Sequence, residues 1–355
     1  MAADAASNKY RAPWWLRGAH LQTIVPALFA RRAAVRYSRE CWDTPDGDVI
    51  EVDRLASSSS PLSTHDARPV LVVFHGLEGS AHSRYVRGLM AAALAQGWDG
   101  IAPHLRGCGG RANLLPRFYH SGDSDEVDWV LKRIAATRAK GAPIYAVGIS
   151  LGGNMLLKWL GERGQRSAPA RDLVAGAAAI SAPMDLVASG EALGRGFNRI
   201  YTRMFLRTLK AKSRAKLARF PGLFDRARME AARDLHAFDD VVTGPLHGFV
   251  DADDYWTRAS SKPLLKNIAV PTLILNAKDD PFLPAFALPM RDEVSAQVTL
   301  EFPEHGGHVG FMHAGHEGNE WMPRRVLRFL AQHGESPRPT SSDESQRFDR
   351  AHRQA

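Results

Sequence analysis

IYAVGISLGGNMLLK, residues 144–158, passes from a run of strand-forming residues into an apolar-periodic helix through Gly148, Ile149, Ser150, Leu151 and Gly152. A Gly-x-Ser-x-Gly step between a buried strand and a helix suits a sharp turn, because small residues on both sides let the backbone bend tightly. Such a turn lifts the central hydroxyl clear of the sheet, so Ser150 reads as a candidate nucleophile. The amide of Leu151, in the first turn of the following helix, lacks an intrahelical acceptor and is free to bind a developing oxyanion. A serine in an ordinary Gly-rich turn shows the same pattern, so the flanking strands and loops must decide.

Upstream, Val70 to Phe74 (VLVVF) is a short apolar run of the kind buried on both faces of a parallel sheet, and it ends in His75-Gly76-Leu77. A His-Gly pair after an early core strand places a loop whose amide, here that of Leu77, supplies a second oxyanion donor. Tyr85 to Ala95 reads as a helix and Trp98 to Ala102 as the next strand. The Gly-rich loop after it, Pro103 to Gly110, lacks both phosphate-binding patterns, and Cys108 within it reads as a packed small side chain without a catalytic role. Ser121 to Ser124 precedes the helical pattern Val127 to Ile134, with polar caps and acids in its first turn; His120 and Asp125 read as capping and loop-anchoring residues.

Downstream, Leu173 to Ile180 is a further buried strand, after which strand character is scarce until Ile268. Within Arg195 to Arg207 arginines recur every fourth residue while Phe197, Ile200, Tyr201, Met204 and Phe205 fall on the opposite side, an amphipathic helix. Residues 185–262 therefore read as a helical cap that roofs a pocket. Val270 to Asn276 restores the strand pattern and delivers Asp279 and Asp280 at its carboxyl end. Val298 to Phe302 follows, and its loop carries His305 and His308. The order serine, acid, histidine is that of a nucleophile-elbow hydrolase. Histidines 305, 308, 313 and 316 lack the cysteine or carboxylate partners of a tetrahedral metal site, so no metal is expected and His308 reads as a base. Trp321 to Leu330 closes the body as a helix.

The chain has 355 residues, a net charge of +8 and two cysteines, Cys41 and Cys108, with no metal-type spacing. Its start lacks the apolar core of a signal peptide, and no apolar run approaches the ~20 residues of a bilayer-spanning helix. A cytoplasmic protein is expected. Nine Lys or Arg occur from Arg195 to Arg219 without one acid. No nucleic-acid motif accompanies them, so nucleic acid is not an expected partner; the two readings of the run are a solvated helix face and peripheral contact with an anionic membrane at its inner face. Residues 10–32, with two tryptophans and a closing Arg pair, read as a helix packed on the body, since His20, Gln22 and Thr23 need protein partners when buried. An interfacial membrane segment is the other reading. Cys41 to Leu55 reads as a hairpin and Ser57 to Ser60 as a linker.

The pieces PWWLRGAHLQT, FHGLEGSAHSRYVRGL, LRGCGG, YHSGDSDE, GISLGGNMLLKWLGE, SAPMDL, FDDVVTGPLHGF, NAKDDPF and GGHVGF, in this order from about Tyr10 to Leu330, resemble the YheT-like α/β-hydrolases, related to eukaryotic α/β-hydrolase-domain proteins that act on acyl esters and phospholipids. The resemblance implies an α/β-hydrolase fold, a mostly parallel central sheet flanked by helices with an inserted helical cap. It implies Ser150 as nucleophile, Asp280 as triad acid, His308 as base, and the Leu77 and Leu151 amides as oxyanion hole. Trp256 stands where the family often has a second tyrosine and Ile149 where an aromatic is common; Ile149, beside the nucleophile, is expected to bear on chain-length preference. In this fold a proline commonly follows the acid four residues on, and Asp280 stands at that distance from Pro284; Asp279 is left as a loop anchor or as a supporting partner behind the reacting groups. The expected organisation is an N-terminal extension packed on the core (1–60), a core in two parts (61–184 and 263–333), a cap (185–262) and a disordered tail (334–355). The expected activity is hydrolysis of short- to medium-chain acyl esters or lipids without a cofactor. An acyltransferase passing the same acyl group to an alcohol is the alternative, distinguished by whether added alcohol yields new ester. A non-catalytic scaffold of the same fold is a third reading.

Overall fold

A computed structural model describes residues 9–55, 67–139, 141–164, 169–315 and 318–333. The expected linker at Ser57 to Ser60 and the tail from 334 lie outside these residues. One eight-stranded sheet runs through the molecule in the order β1-β2-β4-β3-β5-β6-β7-β8. Its strands are β1 (Tyr37–Asp43), β2 (Val49–Leu55), β3 (Val70–Phe74), β4 (Asp99–Pro103), β5 (Ile144–Ile149), β6 (Gly176–Ile180), β7 (Thr272–Leu275) and β8 (Val298–Glu301). β1 and β2 form an antiparallel hairpin whose second strand pairs antiparallel with β4; every pair from β4 to β8 is parallel.

The continuous apolar runs are explained by burial on both faces. Every residue of β3 through β7 is buried, the condition under which a strand shows no hydrophobic alternation. The pleat still sorts the side chains. Val70, Val72 and Phe74 join the core beneath one helix layer, and Leu71 and Val73 join that beneath the other. After α1 (Ala19–Phe29), α2 (Arg84–Ala95) covers the second face together with the terminal helix Trp321–His333, and α3 (Ser124–Ala136) and α4 (Leu151–Gly164) cover the first.

Between β6 and β7 the described chain forms helices and turns only: α5 (Leu186–Leu193), α6 (Arg199–Arg219), α7 (Arg226–Ala231), α8 (Leu235–Phe238) running into a π-helical turn (Asp239–Thr243), and α9 (Ala252–Ala259). Four of these start at an aspartate, Asp185, Asp225, Asp234 or Asp251, whose carboxylate accepts the amide three residues on; such a cap is worth about 1 kcal/mol. Leu206, Met229, Phe238 and Val242 give the insertion a small core of its own. Trp321–His333 is α10.

Several sequence readings shift at their edges. Residues 10–18 are not helical; the helix begins only after Gly18, whose φ of +91° belongs to the left-handed region. Leu173 lies in a short turn, and the strand starts at Gly176. Asp123 does not cap α3, because its carboxylate faces the Arg117 guanidinium at 2.8 Å. The apolar side of the arginine-rich helix divides: Tyr201 and Leu206 are buried, whereas Phe197, Ile200 and Met204 are exposed.

Candidate active site

The chain turns sharply after β5. Ser150 sits at φ +52°, a left-handed conformation that costs a side-chain-bearing residue of order 1–2 kcal/mol and survives only where the surroundings enforce it. Its amide donates to the Ile180 carbonyl of β6 at 2.8 Å, and its carbonyl accepts from Gly153 at 2.8 Å and Asn154 at 3.1 Å, the first turn of α4. Gly152 is needed because a Cβ there would lie 2.4 Å from the Phe74 carbonyl oxygen. The turn thus presses the start of α4 onto the end of β3 and turns the Ser150 hydroxyl outward.

That hydroxyl lies 2.9 Å from His308 Nε2, and His308 Nδ1 lies 2.9 and 3.1 Å from the two oxygens of Asp280. The structure therefore brings together Ser150, Asp280 and His308, from the ends of β5, β7 and β8. The Asp280 carboxylate is fully covered and accepts the Phe282 amide at 2.8 Å. With Asp280 accepting from Nδ1–H, Nε2 is left as a proton acceptor facing the Ser150 hydroxyl. Phe282 stacks on the imidazole with ring centroids 4.0 Å apart. Leu77 and Leu151 border the same hollow, and among the described residues neither backbone amide donates to a protein acceptor.

His75 holds the Leu77 loop. Its Nδ1–H donates to the Gly76 carbonyl at 2.8 Å, while its Nε2 accepts the Leu105 amide at 3.1 Å. Complete burial pushes its pKa down to about 3, so the ring is neutral. Glu78, at φ +54°, is clamped beside it: Tyr119 Oη and Lys212 Nζ of α6 each donate to its carboxylate at 2.7 Å. Lys212 also approaches the Cys108 sulfur at 3.4 Å, but burial pushes that thiol up to about 11, which keeps it protonated.

Two hollows meet at Ser150. The inner one, about 120 Å³, lies beneath the helical insertion and is walled by Leu186, Leu193, Leu209, Phe238 and Trp256; the outer one, about 1220 Å³, is a groove between α1, α2, α10 and the start of α6. Leu77, Ser150, Phe205, Phe282 and His308 border both. Ile149 does not line either hollow: it is wholly buried with Tyr145 and Val147 in the core beneath α2 and α10. Period-two alternation sends the residue before the nucleophile away from the site. His120 borders the inner hollow but anchors its own loop, accepting the Gly122 amide at 3.2 Å.

Residues hidden from the sequence reading complete the support. Thr23 Oγ1 accepts the His308 amide at 2.9 Å, and Ser181 Oγ accepts that of Val309 at 3.0 Å. Asp279 accepts the Gly307 amide at 2.9 Å and lies 3.2 Å from His305 and 3.4 Å from Gln22 Nε2. The backbone of α1 lies so close to the histidine loop that a Cβ on Gly310 would sit 1.8 Å from the Gln22 carbonyl oxygen. Only the polar interruptions in the apolar stretch 10–32 hinted at these contacts. Among the described residues, no group of three or more His, Cys, Asp or Glu is placed to hold a metal ion.

Burial shifts four groups whose effects on stability oppose one another in mild acid. His75 and His120, held near 3 and near 4 against the ordinary 6.5, take up protons only on unfolding and so lower stability as pH falls below 6.5. Asp239 and Glu126, pushed up to about 6 and about 7, take up protons in the folded state over the same window and so act with the opposite sign. The melting temperature is therefore expected to change little from pH 6.5 to 4.5; a steep fall across that window would contradict the raised affinity of the two buried carboxyls for protons.

The family profile described as the alpha/beta hydrolase fold matches residues 69–314. The chain is 42% identical over 296 residues to the Escherichia coli K12 protein named "Putative esterase YheT", covering 82% of this chain and 84% of that one. It is 29% identical over 302 residues to the mouse phospholipase ABHD3, covering 84% of this chain and 71% of that one. A solved esterase of Pyrococcus furiosus shares the fold at a TM-score of 0.54 and 15% identity, over 84% of this chain and 91% of that one. No helix among the described residues is long and apolar enough to cross a membrane. The elbow at Ser150, the parallel sheet that carries it and the 42% identity agree: the chain belongs to the α/β-hydrolase fold family and, within it, to the YheT-like group.

Proposed function

We propose that this carboxylic ester hydrolase works through a covalent acyl-enzyme, with Ser150 as nucleophile, His308 as general base and then acid, Asp280 as the partner of His308, and the Leu77 and Leu151 amides as oxyanion donors. The observation that carries the reading is the continuous hydrogen-bonded line from Asp280 through His308 to Ser150, ending where two hollows meet. Ser150 Oγ attacks the ester carbonyl carbon as its proton passes to His308 Nε2, and the carbonyl oxygen takes the negative charge between the two amides. The C–O bond to the alcohol breaks, and the alcohol leaves with the proton from His308. Water then attacks the acyl carbon, gives its proton to His308, and Ser150 is expelled and reprotonated as the acid departs. Asp280 fixes the imidazole tautomer and stabilises its transient charge.

The esterase and phospholipase names of the relatives support an ester substrate, small or lipid. Residues 185–262 serve as the cap: α5, α6 and α8 wall the inner hollow, which takes the acyl group, while the outer groove takes the alcohol portion. A dry cavity of about 150 Å³ accommodates benzene, so an inner hollow of about 120 Å³ suits an acyl chain of roughly four or five carbons. A panel of p-nitrophenyl esters should give its highest kcat/KM at butanoate or pentanoate. A maximum at dodecanoate would overturn the assignment of the inner hollow, and no turnover along the whole panel would overturn the hydrolase reading.

A further inference from the structure

Two acid-free segments meet at the outer groove, which is lined by residues between 23 and 34 of the first and between 200 and 205 of the second. Residues 9–39 contain seven Lys or Arg and residues 192–224 contain nine, with no Asp or Glu in either. Together these cations exceed the net charge of +8 of the whole chain; Arg39, Arg195, Lys212 and Arg214 are paired with Asp53, Glu191, Glu78 and Glu230, which leaves the start of α6 among the stretches whose positive charge is not met by an acid. The segments touch: the His20 and Phe197 rings lie 4.3 Å apart, and His20 Nδ1 is 3.2 Å from Tyr201 Oη. Ile24 and Leu28 of α1 and Ile200 and Met204 of α6 line the same groove.

The charge accompanies exposed apolar side chains. Trp14 is 79% exposed, Phe29 76%, Met204 62% and Leu28 57%. Single exposed apolar residues are ordinary, but Leu28, Phe29 and Met204 stand on the two helices that frame one opening, and Trp14 lies in the turn that precedes the first of them. On α6, Arg199, Arg203 and Arg207 are exposed and follow each other at one-turn spacing, Ile200 and Met204 stand beside them, and among the described residues none of the three arginines meets an acid. Large apolar side chains flanked by unpaired arginines match the boundary between the acyl chains and headgroups of a bilayer. A solvated helix face needs the arginines but not the exposed tryptophan, phenylalanine and methionine. A nucleic acid would pair with the cations but leave the apolar side chains in water.

We infer that the face formed by α1 with its preceding residues and by the start of α6 docks on an anionic lipid surface, with Trp14, Leu28, Phe29 and Met204 entering the interface, the arginines meeting lipid phosphates, and the groove opening from the membrane toward Ser150. The test is co-sedimentation of the full-length protein with phosphatidylglycerol-rich vesicles, pure phosphatidylcholine vesicles and, separately, a duplex DNA oligonucleotide, at low and high salt. The parent protein binds the anionic vesicles at low salt, and high salt weakens binding. R199Q/R203Q/R207Q partitions on the order of a hundredfold more weakly, and Phe29→Ser roughly tenfold more weakly. Neither substitution touches a residue lining the two hollows, so both variants keep the parent's hydrolysis of a soluble short-chain ester. Equal binding to neutral and anionic vesicles, binding to neither, undiminished binding by the triple variant, or binding to DNA without binding to vesicles would overturn the inference. Ser150→Ala binds vesicles like the parent, so failure of the ester chemistry and failure of the docking surface are read separately.

Discussion

Ser150→Ala is expected to lower ester turnover by roughly 10⁶, the scale reached when the nucleophile of a serine hydrolase is removed, and to abolish labelling by a fluorophosphonate. The loss is large because the nucleophile and base act as one unit: without the hydroxyl, His308 has no proton to take and no covalent intermediate forms. The protein should remain folded. The bonds that hold the elbow are made by the backbone of residue 150, to Ile180, Gly153 and Asn154, and alanine, like serine, places one Cβ at φ +52°. A melting temperature within a few degrees of the parent, measured beside the label, separates lost chemistry from lost structure. Labelling that persists in the variant would move the nucleophile elsewhere.

The elbow was legible because its chemistry is local: a strand, a tight turn and a helix start are all specified within fifteen residues. Strands β3 to β7 were legible for a similar reason, since burial on both faces demands unbroken apolar runs. The support of His308 was not. Thr23 reaches the His308 amide across 285 positions of sequence, and a threonine in an apolar helix announces only that some partner exists. The cap helix failed differently. A 100° period predicts which side chains share a side, but not what covers that side, and α6 buries Tyr201 while leaving Ile200 and Met204 uncovered. Ile149 shows the same limit, for adjacency to Ser150 in sequence does not bring its side chain to either hollow.

The two adjacent acids after β7 should respond very differently to the same neutralising change. Asp280→Asn is expected to lower turnover by about 10⁴, as the equivalent change does in the chymotrypsin-type triad. An amide facing His308 Nδ1 either donates to it, forcing the proton onto Nε2 where Ser150 needs an acceptor, or accepts without stabilising the imidazolium. The full burial of this carboxylate makes the lost charge count, because no water can replace it. Asp279 has another task. It accepts the Gly307 amide at 2.9 Å, one residue before His308, and an asparagine oxygen can accept the same bond. Asp279→Asn therefore keeps the loop pinned and should cost no more than roughly tenfold, the effect of weakening a supporting contact rather than a reacting one. Asp279→Ala, which removes the acceptor, should cost more than Asp279→Asn, whereas Asp280→Ala and Asp280→Asn should be similarly poor. Measured near neutral pH with one soluble ester, a larger loss for Asp279→Asn than for Asp280→Asn would reverse the assignment of the acid, and equal small losses would mean that neither carboxylate serves the histidine.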